Sequence, residues 1–298
     1  MAYHIPALLN EAIEGLNIRS DGVYVDVTFG GGGHSMEILR RLTTGRLIAF
    51  DQDEDVLQHV PSEERFLFLS QNFRFLRNNL RFNGIEKIDG LLADLGVSFH
   101  QFDEPDRGFT FRRNTDLDMR MNRDGQVTAA HLLNTLDETS LADLFFRYGE
   151  LTAARKIARE IIRRRETEPL RRVSDLMEAT DKIAPAWNKN KFYAKLFQAL
   201  RIAVNDEISS LKEMLEQALE MLDHGGRLVV ITYHSLEDRI VKNFMRSGNF
   251  DSEEEKDFYG NIVTPFRMLN RKGVTPGERE LAINNRARSA RLRIAEKI

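Results

Sequence analysis

Asp26-Val27-Thr28-Phe29-Gly30-Gly31-Gly32-Gly33-His34 places four consecutive glycines between polar groups that can bind a ligand. A strand-like run, Val23-Tyr24-Val25, precedes it, and a helix-like run, Ser35 to Leu42, follows. One strand further on, Leu47-Ile48-Ala49-Phe50 ends in Asp51. A glycine turn between strand and helix lets the backbone approach a ligand without Cβ clashes. An acid at the next strand tip can accept hydrogen bonds from two ribose hydroxyls. The strict dinucleotide pattern requires glycine at 35, where Ser35 stands. Further polar groups fall where later strands end: Asp94-Leu95-Gly96-Val97-Ser98, and Tyr233-His234-Ser235-Leu236-Glu237-Asp238-Arg239. Open α/β sheets bind ligands beyond the carboxyl ends of their strands, so these segments converge on one crevice.

The elements that position them follow from periodicity. Strands are predicted at 23–27, 46–50, 65–69 and 89–94, and helices at 34–43, 53–59 and 73–83. This alternation predicts a parallel sheet with helices on both faces. It stops after Asp94. From about 128 to 222 the pattern is almost wholly helical. Ser174 is expected to cap one helix, and another is expected over 205–222 with a glycine stop at His224-Gly225-Gly226. The buried run Leu228 to Tyr233 then resumes the sheet, followed by a helix at 236–246 and strands near 265–271 and 290–295. The expectation is a doubly wound α/β domain, 1–105 with 215–298, interrupted by an all-helical insertion, 106–214.

Composition narrows the chemistry. The chain has 298 residues, 30% of them charged, and no cysteine, which removes disulfides, thiolate metal sites and a cysteine nucleophile. No metal is expected. No apolar run approaches a membrane span, and no signal peptide is read, so a cytoplasmic setting is expected. The net charge of −3 hides local asymmetry. Residues 151–172 carry eight Arg/Lys against three Glu, and residues 271–298 repeat that ratio. Basic faces on an acidic whole suit a protein that meets a phosphate backbone at one surface, although a lone charge run is more often solvated surface.

With Arg107-Gly108-Phe109-Thr110-Phe111-Arg112, Leu117-Asp118-Met119-Arg120-Met121, Phe197 to Asn205 and Asn285 to Arg293, these motifs resemble one family, from His4 to the C-terminus and in matching order. It is the bacterial ribosomal RNA small-subunit methyltransferase H, or MraW, family. The resemblance implies a class I S-adenosyl-L-methionine-dependent fold and methylation of N4 of a cytidine in the decoding centre of 16S rRNA. The partner would be 16S rRNA within the small ribosomal subunit, with the helical insertion 106–214 as its recognition domain; a homodimer is left open. The implied cofactor contacts are Gly32, Gly33, His34, Asp51, Phe73, Asp94 and Gln101. Asp94 is expected to steer the acceptor amine, Tyr233 to border the target base, and His234 is a candidate proton acceptor. Phe99, Phe102, Phe109 and Phe111 are candidate base contacts, and Arg107, Arg112, Arg113 and Arg120 candidate phosphate contacts. The chain departs from the family at Phe99-His100-Gln101-Phe102, Thr115-Asp116 and Lys195-Leu196, which puts substrate detail in question. Two rivals share some features: an NAD-linked oxidoreductase with the same glycine turn, and a non-catalytic ribosome-assembly factor.

Overall fold

The computed structural model describes residues 6–97, 104–253, 255–260 and 262–298. The chain divides into two compact units, Met1–Gly96 with Ile208–Ile298, and Val97–Glu207. The sequence reading set these boundaries at 105/106 and 214/215. The first lies nine residues past the observed division, and the second falls inside a helix.

The first unit is built on a seven-stranded sheet. Its strands are β1 (Val23–Asp26), β2 (Arg46–Asp51), β3 (Phe66–Ser70), β4 (Ile88–Asp94) and β5 (Leu222–Thr232), then β8 (Phe266–Met268) and β9 (Arg291–Lys297). The spatial order is β3-β2-β1-β4-β5-β9-β8. β1 to β5 are parallel, whereas β9 runs antiparallel to both β5 and β8. A short hairpin, β6 (Glu255–Lys256) and β7 (Ile262–Val263), stands apart.

Period-two alternation decides what each face of the sheet buries. Val25, Val27, Ile48, Phe50, Leu91, Leu228 and Val230 lie in one core cluster. It also takes in Leu76 and Leu80 of α3 (Leu76–Phe82), Leu211 and Leu215 of α9 (Glu207–Met221), and Val241 and Phe244 of α10 (Ser235–Ser247). Tyr24, Leu47, Leu92, Val229 and Ile231 share the other cluster with Ile13 and Leu16 of α1 (Leu9–Leu16) and Ile38 and Leu39 of α2 (Gly33–Arg41). Burial on both faces explains why the central strands read as near-continuous apolar runs.

Three local expectations are corrected. Residues 53–59 and the first turn of 73–83 are 3-10 segments, Glu54–His59 and Phe73–Phe75. The helix expected over 205–222 ends at Met221, but His224-Gly225-Gly226 lies within β5. Ile88 pairs with Leu222 and Gly90 with Arg227, so those glycines fill a bulge, with Gly225 at φ 79°. At α7 (Val173–Thr180), Ser174 lies inside the first turn. The free N–H groups of Arg171 and Arg172 instead donate to Asp175 Oδ2, at 2.9 and 2.8 Å.

The second unit packs α4 (Ala129–Thr135), α5 (Glu138–Gly149), α6 (Ala154–Thr167), α7 and α8 (Lys189–Asn205) around Leu133, Leu141, Phe145, Ile157, Ile161, Leu196 and Leu200. Among the described residues, no helix is long and apolar enough to cross a membrane.

Candidate functional site

The first unit gathers its polar groups at the carboxyl ends of β1, β2, β4 and β5. β1 ends at Asp26, buried to 1% exposure. Its carboxylate accepts from Thr28 N at 3.0 Å and from Ser35 Oγ at 2.7 Å. Burial still pushes its pKa above the usual carboxylate value. The Thr28 hydroxyl oxygen accepts from Asp94 N at 2.6 Å, which ties the glycine turn to the tip of β4. The sequence reading quoted Asp26 and Thr28 without giving them work. A strand-terminal acid with hydroxyls two and nine residues on was the available signal.

Gly32 sits at φ 77°, which only glycine adopts without strain. At Gly33 a Cβ would lie 2.2 Å from Pro6 Cγ, so glycine is required there for close approach. Beside Gly31 a Cβ would meet nothing within 4 Å. The turn is thus packed behind and open at one point, the cradle a ligand needs.

Asp51 ends β2 and is locked by two backbone donors, Gly30 N to Oδ2 at 2.8 Å and Asp53 N to Oδ1 at 2.9 Å. Each oxygen keeps a lone pair for a further donor. Burial lifts its pKa to about 6, against the lowering effect of those hydrogen bonds. Asn72 Nδ2 donates to Gln52 Oε1 at 2.9 Å, joining the segment after β2 to the turn that carries Phe73. Phe73 is half-buried against the core cluster.

Asp94, Tyr233 and His34 meet. Tyr233 Oη donates to Asp94 Oδ1 at 2.9 Å, and Asp94 Oδ2 lies 3.7 Å from His34 Nδ1. Burial raises Asp94 to about 7 and lowers His34 to about 4. It also holds the Tyr233 phenol well above its usual value, helped by the adjacent Asp94 charge. His34 is therefore neutral at pH 7, and the contact with Asp94 is no salt bridge. His34 Nε2 lies 3.2 Å from Ala7 O; a carbonyl only accepts, so Nε2 carries the proton. Nδ1 is left as a bare acceptor facing a second acceptor, Asp94 Oδ2. Two converging acceptors suit an incoming N–H donor.

His234 is placed differently from its neighbour Tyr233. It is the N-cap of α10, its Nδ1 accepting from Glu237 N at 3.3 Å. Its Nε2 lies 3.0 Å from Glu237 Oε1 but outside hydrogen-bond alignment. Glu237 Oε2 in turn accepts from Tyr233 N at 2.9 Å. The imidazole therefore holds the strand-to-helix corner on which Tyr233 stands. Gln101, Phe99 and Phe102 lie outside the described residues.

In the second unit, several residues expected to face RNA build the unit itself. Arg107 is buried and donates to the carbonyls of Arg120 and Met121, both at 3.0 Å. Arg120 holds Asp118 through two hydrogen bonds of 2.7 Å. Arg165 Nη1 donates to Leu133 O and Leu136 O at the end of α4. Phe109 is buried, and Phe111 packs on Tyr193 and Phe197. Arg112 and Arg113 are exposed.

The sheet order and the glycine turn are those of a Rossmann-like class I methyltransferase. Proteins called ribosomal RNA small subunit methyltransferase H match the whole chain. The one from Parabacteroides distasonis is 53% identical over 298 residues, 99% of this chain and 98% of its own. That from Flavobacterium psychrophilum is 54% identical, covering 97% of this chain and 100% of its own. That from Cytophaga hutchinsonii is 49% identical over 99% of both. A solved rRNA methylase from Streptococcus thermophilus aligns over 99% of each chain, with a TM-score of 0.44 and 13% identity. The MraW methylase model matches residues 1–298, and the chain belongs to the MraW methylase family.

Proposed function

We propose that the protein transfers a methyl group from S-adenosyl-L-methionine to the exocyclic N4 of a cytidine in the decoding centre of 16S rRNA, within the small ribosomal subunit. The relatives' shared name supplies the small-subunit rRNA. The single observation that carries the nitrogen target is the acceptor pair, Asp94 Oδ2 and His34 Nδ1 at 3.7 Å, beside the open glycine turn.

The residues fit the cofactor. Asp51, fixed by Gly30 and Asp53, holds the ribose hydroxyls, and Phe73 offers a flat apolar face to the adenine. Gly32, Gly33 and His34 border the methionyl end, with the free space at Gly31. When bound, S-adenosylmethionine supplies a methyl carbon made electrophilic by the sulfonium charge. The protein's own part is alignment. The cytosine N4 lone pair is conjugated with the ring, and an acceptor on one N4 hydrogen turns that lone pair toward the methyl carbon. Asp94 Oδ2 supplies the acceptor, while the Tyr233 hydroxyl pins Oδ1. A carboxylate whose pKa is about 7 exchanges a proton near neutrality at little cost, so Asp94 is the assigned recipient of the N4 proton. Orientation of this kind can be worth roughly 7–11 kcal/mol in favourable systems. The target edge is the Watson–Crick edge, so the nucleotide must be unpaired or turned out of the stack. The full-length match to the MraW methylase family speaks against the NAD-linked oxidoreductase reading.

The test is nucleoside mass spectrometry of 16S rRNA from cells with and without the gene, paired with transfer from labelled S-adenosylmethionine to small subunits lacking the modification. Loss of N4-methylated cytidine and its restoration in vitro are expected. Unchanged N4-methylcytidine, or label on another base, overturns the assignment.

A further inference from the structure

Within the second unit, α5 and α6 enclose a concave surface lined by Ala142, Asp143, Phe146, Thr152, Ala153, Ala154, Arg155 and Lys156. Phe145 and Phe146 are consecutive on α5, about 100° apart around the helix axis. Phe145 is fully buried, and Phe146 is left 62% exposed. An exposed phenyl ring with cations beside it is costly for a free surface and useful for a bound one. Arg155 and Lys156 are exposed and have no hydrogen-bond or ion-pair partner among the described residues. The acid on this surface, Asp143, lies 3.5 Å from Arg147.

The cations continue along one face of α6. Arg155, Arg159 and Arg163 stand at i, i+4 and i+8, so they share a face with a rise of about 6 Å per step. Arg159 and Arg163 are 71% and 69% exposed, and their acids, Glu138 at 3.7 Å and Glu160 at 2.5 Å, form only surface pairs. Surface pairs of this kind contribute little and yield to a polyanion.

We infer that the Phe146 surface is a stacking platform for an unpaired base of single-stranded RNA, with Arg155 and Lys156 on the flanking phosphates and the α6 arginine row carrying the strand onward. Single-strand binders combine these two parts, a cationic track and an aromatic face that tolerates any base. The groove is open to solvent and offers about 730 Å³, room for a nucleoside to lie on it. The inference rests on the proposed RNA substrate and adds to it a second place, within the helical unit, that grips RNA.

The test measures fluorescence anisotropy of a labelled oligocytidylate with the full chain, alongside calorimetric titration with S-adenosylhomocysteine. Phe146→Ala should weaken RNA binding roughly 5- to 150-fold, the equivalent of one lost stacked base, while Phe146→Tyr retains it. Arg155→Gln with Lys156→Gln should lower the salt slope of log K by about 1.4, two phosphate contacts on a single strand. All variants should bind S-adenosylhomocysteine as the parent does. Equal RNA affinity for Phe146→Ala overturns the platform and leaves the substrate reading standing. A parent that takes S-adenosylhomocysteine and no RNA, neither the oligomer nor small subunits, overturns both. A change in sedimentation with unchanged RNA affinity makes the patch a protein interface and likewise overturns it.

Discussion

The strand-tip cluster of the first unit and the arginine-rich helix α6 of the second use charge in opposite ways. Asp26 is buried, Asp51 and Asp94 are partly buried, and named donors hold each carboxylate. Along α6 the guanidinium groups of Arg159 and Arg163 are mostly in solvent, beside weakly engaged acids. Desolvation makes each acid costly to ionise, and its hydrogen bonds fix its direction. Exposure leaves each arginine cheap to keep charged and imprecise in direction. The first arrangement suits alignment of a reacting atom. The second suits attraction of a polyanion from a distance.

The comparison breaks most visibly at Asp94. Asp94→Ala removes the acceptor for N4, and methyl transfer should fall roughly 10²- to 10⁴-fold, measured as kcat on small subunits. A rise in KM with kcat unchanged would place Asp94 in RNA binding instead. Next comes Asp51→Ala, which strands two backbone N–H groups and removes the ribose acceptor. S-adenosylhomocysteine affinity should drop by about 1–3 kcal/mol by calorimetry. Unchanged affinity would remove Asp51 from the pocket.

A third measurement follows the proton. The folded-state pKa of Asp94, about 7, lies above its unfolded value, so native Asp94 holds its proton where the unfolded chain has lost it. Its contribution is fully present below the unfolded pKa and is lost as pH rises to about 7. Asp94→Asn should therefore stabilise the protein more at pH 8 than at pH 5, by at most about 3 kcal/mol in thermal or urea unfolding. His34 runs the other way: its folded pKa is depressed to about 4, and its contribution is lost as pH falls below the unfolded value toward 4. Residual activity of the parent should rise with pH through about 7, and a flat profile would take Asp94 out of the proton's path.

The smallest effects separate arginines within one helix. Arg165→Ala should cost roughly 1–2 kcal/mol of stability, because Leu133 O and Leu136 O lose a charged donor. Arg163→Ala should stay within about 0.5 kcal/mol. Equal costs would mean that exposure does not sort these side chains.

Much of the first unit was legible because its signals are local. The glycine turn, the acids at the ends of β2 and β4 and the apolar strands each sit within a few residues of their cause. Arg107 and Arg120, expected at phosphates, and Arg165 of the basic run 151–172 instead hold carbonyls and an acid that pattern alone does not place, Leu133 O being 32 residues from Arg165. The bulge at Gly225 was read as a helix stop because a positive-φ glycine serves either purpose. Phe109 and Phe111, candidate base contacts by sequence, lie in and against the core of the second unit, whereas Phe146, next to the fully buried Phe145, is left 62% exposed. A string of residue types records hydrophobicity, but the choice between Phe145 and Phe146 depends on which neighbours arrive.

Pro6 and Ala7 lie across the start of α2, the first against Gly33 and the second against His34 Nε2. The imidazole stays dry because that strap covers it. A purification tag or a deletion that lifts the strap would let water reach the ring, raise its pKa back toward the ordinary histidine value and place a fraction of positive charge in the pocket near pH 7. Comparisons between preparations with differently processed amino ends would then be comparisons between two different electrostatic environments for the donor.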